Sequence, residues 1–212
     1  MTDAVPLTGE PLALDLINTR PRGPGGATAD LLGSVPALAA WLELERALGD
    51  GRPLPPGSTA DAAGLAAVHR VREDAAGALR ALRAGGEPPA SALRGLNDAQ
   101  RAAPAVRRAR WDGSRLIAEP HRPGEPAAVL AAVLAEAAVE LLTGPAVARV
   151  RECEAEDCVM LFLPAHPRRR WCSPARCGNR TRVARYYRRH HSPDSPDSPD
   201  SRAGGPGAEL RR

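Results

Sequence analysis

The sequence predicts a mainly α-helical protein that carries one β-hairpin and ends in a small module built around four cysteines. Aromatic residues make up only 3% of the 212 residues, so the core has to be built from alanine, leucine and valine. Small aliphatic side chains of this kind favour packed helices over a β-sandwich. A chain of this length is expected to form one or two domains.

Apolar residues at helical spacing predict three helices in the first half of the chain. Ser34 is a suitable N-cap for the first, which stops at Gly49. Thr59 or Asp61 opens the second, which closes at Gly85-Gly86, and the third runs from about Ala90 to Arg101. Their apolar faces consist, in chain order, of Leu38, Trp41, Leu42 and Leu48; of Leu65, Val68, Val71, Ala75, Leu79 and Leu82; and of Leu93 and Leu96.

A hairpin and a buried helix are predicted next. Asp112-Gly113 separates two short alternating runs, which is typical of a β-hairpin turn. The run from Ala127 to Leu142 is apolar on most sides, as expected of a central helix, and Gly144 and Pro145 end it. Glu136 and Glu140 interrupt this run, so we expect no membrane span here, and the N-terminus does not resemble a secretory signal. We therefore expect a soluble, cytoplasmic protein.

Charge and composition divide the chain into three parts. All 29 basic residues are arginine, and the net charge is only +4. Residues 149–191, however, hold 11 arginines and 4 acidic residues, while residues 1–148 are slightly acidic. Residues 192–212 contain the repeat SPDSPDSPDS, which has no apolar content and is expected to be disordered. The predicted domains are therefore 1–148, helical; 149–191, basic and cysteine-containing; and 192–212, a tail. An anionic partner is expected to bind the second.

All four cysteines lie in one stretch of 25 residues with the spacing C-x4-C-x13-C-x4-C. Two close pairs joined by a longer arm are typical of a tetrahedral thiolate site for one structural Zn²⁺. The predicted ligands are Cys153, Cys158, Cys172 and Cys177. Two disulfides are the alternative, but they suit an exported protein, which the N-terminus argues against. Four sulfur ligands leave no open coordination position, so the zinc is not expected to activate water.

The strings CEAEDCVMLF and WCSPARCGNRTRVARYYRRH resemble the CGNR zinc finger, named for the run found here at Cys177–Arg180. The segment PLALDLINTR, Pro11 to Arg20, is similar to a motif of the ABATE domain. This resemblance implies a helical ABATE-like domain, a finger of two knuckles, a short hairpin and a basic helix, and a role in stress-induced transcription regulation. Around the ligands, we expect Gly178 to permit a tight turn, Asn179 to satisfy backbone groups and Arg180 to offset the negative charge of the thiolates.

The residues after Cys177 fit a helix with two different faces. One face carries arginines, and the other carries Val183, Ala184 and Tyr187, which we expect to pack on the zinc knuckles. Arginine binds phosphate and guanine edges through its forked guanidinium group, so this helix suits a DNA groove. The predicted nucleic-acid contacts are Arg182, Arg185, Arg188 and Arg189 on the helix and Arg169 and Arg170 in the preceding arm. Tyr186 is a candidate for base stacking.

We interpret the sequence as that of a transcription regulator that binds double-stranded DNA; an RNA-binding or protein-interaction module is the alternative. No catalytic motif stands out, so we expect no enzymatic activity. Asp15, Asn18 and Arg20 form a polar cluster after an apolar run. They are candidates for a small-molecule effector pocket, although such residues more often cap a helix and fix a turn. A homodimer is compatible with this interpretation.

Overall fold

The computed structural model describes residues 8–21, 29–49, 54 and 60–190. The predicted Ser/Pro/Asp tail and Thr59 lie outside these residues. Within them the chain is mainly helical, as predicted, and the helices are α1 (Leu12–Ile17), α2 (Val35–Ala47), α3 (Ala62–Arg83), α4 (Ala90–Ala102), α5 (Pro126–Thr143) and α6 (Asn179–His190). The strands are β1 (Val106–Trp111), β2 (Leu116–His121), β3 (Arg151–Glu152) and β4 (Leu161–Phe162).

Side-chain caps set the starts of α2 and α3. The Ser34 Oγ accepts a hydrogen bond from the N–H of Ala37 at 3.3 Å, and the Asp61 Oδ1 accepts one from the N–H of Gly64 at 2.6 Å. Each bond satisfies a backbone donor that has no partner within the helix. Gly49 and Gly85 follow the two helices with φ values of 75° and 73°, a conformation that glycine adopts without strain. The sequence-based boundaries of both helices are confirmed.

The predicted apolar faces are confirmed except at two positions. Leu38, Trp41 and Leu42 of α2 are buried, whereas Leu48 is 44% exposed at the end of that helix. Leu96 of α4 is buried, whereas Leu93 is 40% exposed. Leu48 is the C-cap of α2, and Leu93 lies in the first turn of α4. Leucines at helix ends can thus match the periodicity without facing the core.

Strands β1 and β2 form the predicted antiparallel hairpin, with Trp111 opposite Leu116. Its loop is longer than the dipeptide Asp112-Gly113, because Asp112 through Arg115 separate the strands. The Asp112 Oδ1 accepts hydrogen bonds from the N–H groups of Ser114 and Arg115 at 2.9 and 2.8 Å, which closes the loop.

Helix α5 is the central helix of the core. It contacts α1, α3 and α4, and its buried residues include Leu130, Leu134 and Leu141. Among the described helices it alone is long and apolar enough to cross a membrane when judged by length and composition. Core helices of soluble proteins meet the same criterion, so it does not make α5 a membrane span, and the expectation drawn from its two glutamates stays a prediction.

The chain divides into two compact units, Met1–Cys172 and Ser173–Arg212. The first contains α1 to α5 and both hairpins, and the second contains a π-helical turn, Pro174–Gly178, followed by α6. Within the first unit, β3 and β4 pair antiparallel, and Phe162 of β4 is fully buried. The side-chain amide of Asn18 donates to the Leu161 carbonyl and accepts from its N–H, both at 2.8 Å. These contacts join β4 to α1. The sequence-based boundary at residue 148 stays a prediction.

Candidate metal centre and nucleic-acid surface

The first two cysteines lie on a tight turn directly after β3. The N–H of Cys153 donates to the Met160 carbonyl at 2.9 Å, and the N–H of Cys158 donates to the Ala155 carbonyl at 3.1 Å. Asp157 adopts a φ of 59°, in the left-handed region that aspartate enters more readily than most residues. The turn therefore brings two thiols together within six residues.

The second pair follows the arm between the two knuckles. The N–H of Cys172 donates to the Cys153 Sγ at 3.3 Å, which is a backbone hydrogen bond to sulfur of the kind that stabilises a thiolate. The N–H groups of Cys177 and Gly178 both donate to the Ser173 carbonyl, at 3.0 and 3.1 Å. These two bonds hold the turn that precedes α6.

The four sulfurs fit one tetrahedral zinc ion. All lie within 4.8 Å of one another, and the Sγ atoms of Cys158 and Cys172 are 3.9 Å apart. A Zn–S distance of about 2.3 Å in a tetrahedron requires sulfurs about 3.8 Å apart. All four cysteines are free thiols, and three of them are buried. The alternative of two disulfides is therefore not the arrangement found, and the donor set is that of a closed, structural zinc site, as predicted.

Arg180 lies beside a ligand sulfur. Its Nη2 lies 3.8 Å from the Cys177 Sγ. Four thiolates around Zn²⁺ carry a net charge of about −2, which an arginine at this distance offsets. Gly178 lies in a hydrogen-bonded turn, as expected, with its N–H donating to the Ser173 carbonyl, whereas the Asn179 Oδ1 accepts from Arg182 Nη2 at 2.5 Å instead of from the backbone. The N–H aimed at sulfur is that of Cys172.

Arg169 holds the arm of the zinc site in place. Its guanidinium donates to Glu10 Oε1 at 2.6 Å, to the Cys172 carbonyl at 2.5 Å and to the Trp171 carbonyl at 3.1 Å. The group also lies 4.5 Å from the centre of the Phe162 ring. With its side chain only 25% exposed, Arg169 is a structural residue, and the geometry does not support its predicted role in nucleic-acid contact.

Glu10, which was not among the predicted site residues, is the carboxylate partner of Arg169. It is 7% exposed, and its second carboxylate oxygen accepts from the Leu163 N–H at 2.8 Å. Together with Arg169 it ties the segment before α1 to the zinc arm. Glu10 and Arg169 are 159 residues apart, and no local pattern in the sequence signals such a pair.

Arg170 remains at the surface. Its Nε donates to Glu154 Oε2 at 2.6 Å, and its side chain is 49% exposed. Hydrogen bonding to Glu154 raises the pKa of Arg170 above its usual value. An exposed ion pair of this kind contributes little to stability, so a phosphate group can replace Glu154.

Helix α6 presents arginine and aromatic side chains to solvent. Arg182 and Arg185 are exposed, while the side chains of Arg188 and Arg189 lie outside the described part of the chain. The prediction that Val183, Ala184 and Tyr187 pack on the knuckles was wrong, because all three are exposed. Tyr186 is also exposed, and its ring lies 4.3 Å from that of His190.

The three candidates for an effector pocket, Asp15, Asn18 and Arg20, lie in three different environments. Asp15 is fully buried and accepts from the N–H groups of Gly9 and Glu10 at 2.8 and 3.1 Å, which fixes the entry to α1. Asn18 binds the backbone of Leu161. Arg20 forms an exposed ion pair with Glu73 at 2.5 Å. Asn18 and Arg20 also line one cleft, of about 500 Å3, and Asp15 does not.

Two protein families match the chain. The ABATE family, described as "Putative stress-induced transcription regulator", matches residues 10–145. The CGNR zinc finger matches residues 149–190 and so contains all four cysteines and α6. No curated protein matches the chain.

Proposed function

The chain belongs to the ABATE family and carries a CGNR zinc finger, and on this basis we propose that it is a transcription regulator that binds double-stranded DNA through α6. The zinc site is structural in this proposal, and the protein is a cytoplasmic regulator without enzymatic activity. Homodimer formation stays a prediction.

The charge of the second unit carries the proposal. Residues 173–190 contain six arginines and no acidic residue. In a helix, such a density of like charge is unfavourable unless an anion offsets it. Only Cys177 and Gly178 are buried among the described side chains of this segment. The thiolate site, which Arg180 faces, offsets part of this positive charge, and a nucleic-acid backbone can supply the remaining negative charge.

The geometry of α6 supports direct contact with bases as well as phosphates. Arg182 is held by the Asn179 Oδ1 at 2.5 Å and by the Gly178 carbonyl at 3.4 Å, so its guanidinium stays near the first turn of the helix. Helices that enter a major groove often use their first turns to reach base edges. Arg182 is thus suited to base contact, and Arg185, one turn further on, is suited to phosphate contact.

The exposed apolar residues of α6 favour a second candidate function. Val183, Tyr186 and Tyr187 are 53%, 54% and 56% exposed. Aromatic residues on a surface are enriched at protein interfaces and also stack on unpaired bases. A zinc-stabilised module that binds a protein or RNA would use these side chains.

A duplex titration with charge variants tests the proposal. The zinc-loaded full chain is titrated with a labelled DNA duplex by fluorescence anisotropy at several salt concentrations. We expect Arg182→Ala with Arg185→Ala to weaken binding by about tenfold or more and to reduce the magnitude of the salt slope by about 1, because the lost phosphate contact of Arg185 removes about one counterion. Arg94→Ala with Arg101→Ala removes the same charge from exposed positions of α4 and serves as the matched control.

The same titration separates the alternatives. If both double variants bind the duplex as tightly as the wild type, α6 is not the DNA-binding helix. Tighter binding to a single-stranded RNA of equal length, abolished by Tyr186→Ala, would favour the RNA alternative. An absence of salt-dependent binding to either nucleic acid would favour the protein-binding alternative.

A further inference from the structure

We propose that the cleft between the C-terminal end of α1, the face of α3 and the β3–β4 hairpin binds a small organic anion whose charged group is a phosphate or a carboxylate. The cleft has a volume of about 500 Å3, which is within the range of small-molecule sites. All of its lining residues belong to the first unit. The regulatory meaning of this site rests on the proposed function, whereas anion binding itself does not.

The charge of the lining selects an anion. Four arginines and two glutamates line the cleft, and Asp30 pairs with one of the arginines from outside the lining, so positive charge exceeds negative charge by one; the lining residues are Arg20, Arg72, Arg80, Arg83, Glu73 and Glu152. Three of the arginines come from one stripe of α3, in which positions 72, 80 and 83 lie on the same side of the helix. Ala76 lies between them and leaves space that a longer side chain would fill.

Two of these arginines keep hydrogen-bonding capacity for a ligand. Arg72 is 2% exposed, and its two terminal nitrogens bind Asp30 at 2.7 and 2.6 Å, but its buried Nε has no hydrogen-bond partner. A buried donor without a partner costs free energy that a bound acceptor recovers. Arg80 is exposed at the rim and forms no ion pair with any residue in the described part of the chain.

Apolar residues form the remaining wall of the cleft. Ile17, Leu79, Val159 and Leu161 line it beside Ala76. Sites that combine a few convergent polar groups with an apolar wall bind ligands that have a charged head and a small hydrophobic body. The expected ligand is therefore a phosphate ester or carboxylate that carries an apolar group, and not inorganic phosphate alone.

The cleft adjoins the zinc ligands through the chain. Two of its lining residues are neighbours of predicted zinc ligands in the sequence. Glu152 directly precedes Cys153, and Val159 directly follows Cys158. Glu152 contacts Arg83 at 3.4 Å, which is long for a charge-assisted bond, and both side chains are partly exposed. A bound anion can therefore replace Glu152, one residue before Cys153, at Arg83. This gives an effector a route to the zinc site.

Calorimetric titration of the zinc-loaded full chain, without DNA, tests the anion site with phenyl phosphate, benzoate and neutral phenol as probes. We expect saturable binding of phenyl phosphate or benzoate, and binding of phenol at least tenfold weaker. Arg80→Gln should weaken anion binding at least tenfold, and Ala76→Leu should weaken it by filling the cleft while keeping every charge. Arg94→Gln, an exposed arginine of α4, is the matched control and should bind as the wild type does.

The results have distinct meanings. Response to phenyl phosphate alone identifies a phosphate site, and response to benzoate alone identifies a carboxylate site. The proposal is overturned if neither anion binds saturably, if phenol binds as tightly as the anions, or if folded Arg80→Gln and Ala76→Leu both bind as the wild type does. Because DNA is absent, a failure of duplex binding would leave this result intact, and a failure here would leave the DNA-binding proposal intact.

Discussion

Helices α1 to α5 bury leucine, alanine and valine side chains, whereas in residues 173–190 only Cys177 and Gly178 are buried among the described side chains. The first region gains its stability from apolar surface removed from water. The second has no apolar core of its own, so the free energy of metal binding has to order it. One chain therefore joins a region that folds by burial to a region that depends on zinc, and each should respond to a different perturbation.

Loss of a zinc ligand should produce the largest effect. Structural zinc contributes about 10–16 kcal/mol in small modules, and Cys172 contacts two other ligands, with its N–H bound to the Cys153 Sγ and its own Sγ 3.9 Å from that of Cys158. We expect Cys172→Ser to abolish zinc binding and the circular-dichroism signal of the 12-residue α6, while the thermal transition of α1 to α5 persists. His166→Ala, which removes an exposed non-ligand, is the control and should retain one zinc per chain. Retention of zinc by Cys172→Ser would refute the four-thiolate site.

A cavity in the helical core should destabilise α1 to α5 and leave zinc binding unchanged. Leu134 of α5 is fully buried, and leucine-to-alanine changes at such positions cost about 2–5 kcal/mol. We expect Leu134→Ala to lower the free energy of unfolding in urea by this amount while the zinc content stays at one per chain. Leu93→Ala, at a 40% exposed position, is the control and should change stability by about 0.5 kcal/mol or less. Equal losses in both variants would contradict the assignment of the core.

The contact between α1 and β4 should be sensitive to Asn18. Its amide satisfies both backbone groups of Leu161, and leaving buried groups without partners costs about 1–3 kcal/mol. We expect Asn18→Ala to destabilise the first unit by about this amount and to speed hydrogen exchange at the Leu161 N–H. Asn97→Ala, at an exposed position of α4, should do neither. Unchanged exchange at Leu161 would show that the hairpin does not depend on this side chain.

The smallest effect concerns the ion pair of Asp30. The Arg72 side chain is the main cause that lowers the pKa of Asp30 below its usual value. A lowered folded-state pKa stabilises the protein above the unfolded-state value, and this stabilisation is lost as pH falls through the folded-state value. The unfolding free energy should therefore decrease below about pH 4, and this decrease should be smaller in Asp30→Asn. Asp98→Asn, at an exposed residue of α4, is the control. An identical pH profile for Asp30→Asn and the wild type would contradict this role.

The sequence predicted α2 and α3 well because each combines apolar periodicity with a side-chain cap and a glycine stop, as at Ser34, Asp61 and Gly85. Helix α1 was not assigned as a helix. It has six residues, five of which are buried, and so it shows no apolar and polar alternation that a periodicity argument could use. Such short buried helices are defined by tertiary contacts.

The metal centre could be predicted from spacing, whereas the surroundings of the site could not. The two cysteines of each pair are close together in the sequence, and closely spaced cysteine pairs are typical ligands of structural zinc. The position of Arg169 depends on Glu10, which is distant in the sequence, so a residue that looked like part of a basic surface is a structural one. Likewise, periodicity gave α6 an apolar face, but it could not show that Val183 and Tyr187 are exposed.

Duplex affinity measured with and without zinc tests the central claim most directly. The full chain is titrated with a DNA duplex in its zinc-loaded form, after the metal has been removed with a chelator and the chelator dialysed away, and after zinc has been restored, all at one salt concentration. We predict one zinc per chain, saturable binding by the loaded form, a loss of affinity of about tenfold or more on removal of zinc, and recovery when zinc is restored. Equal duplex affinity with and without zinc would contradict the claim that a zinc-ordered helix binds DNA.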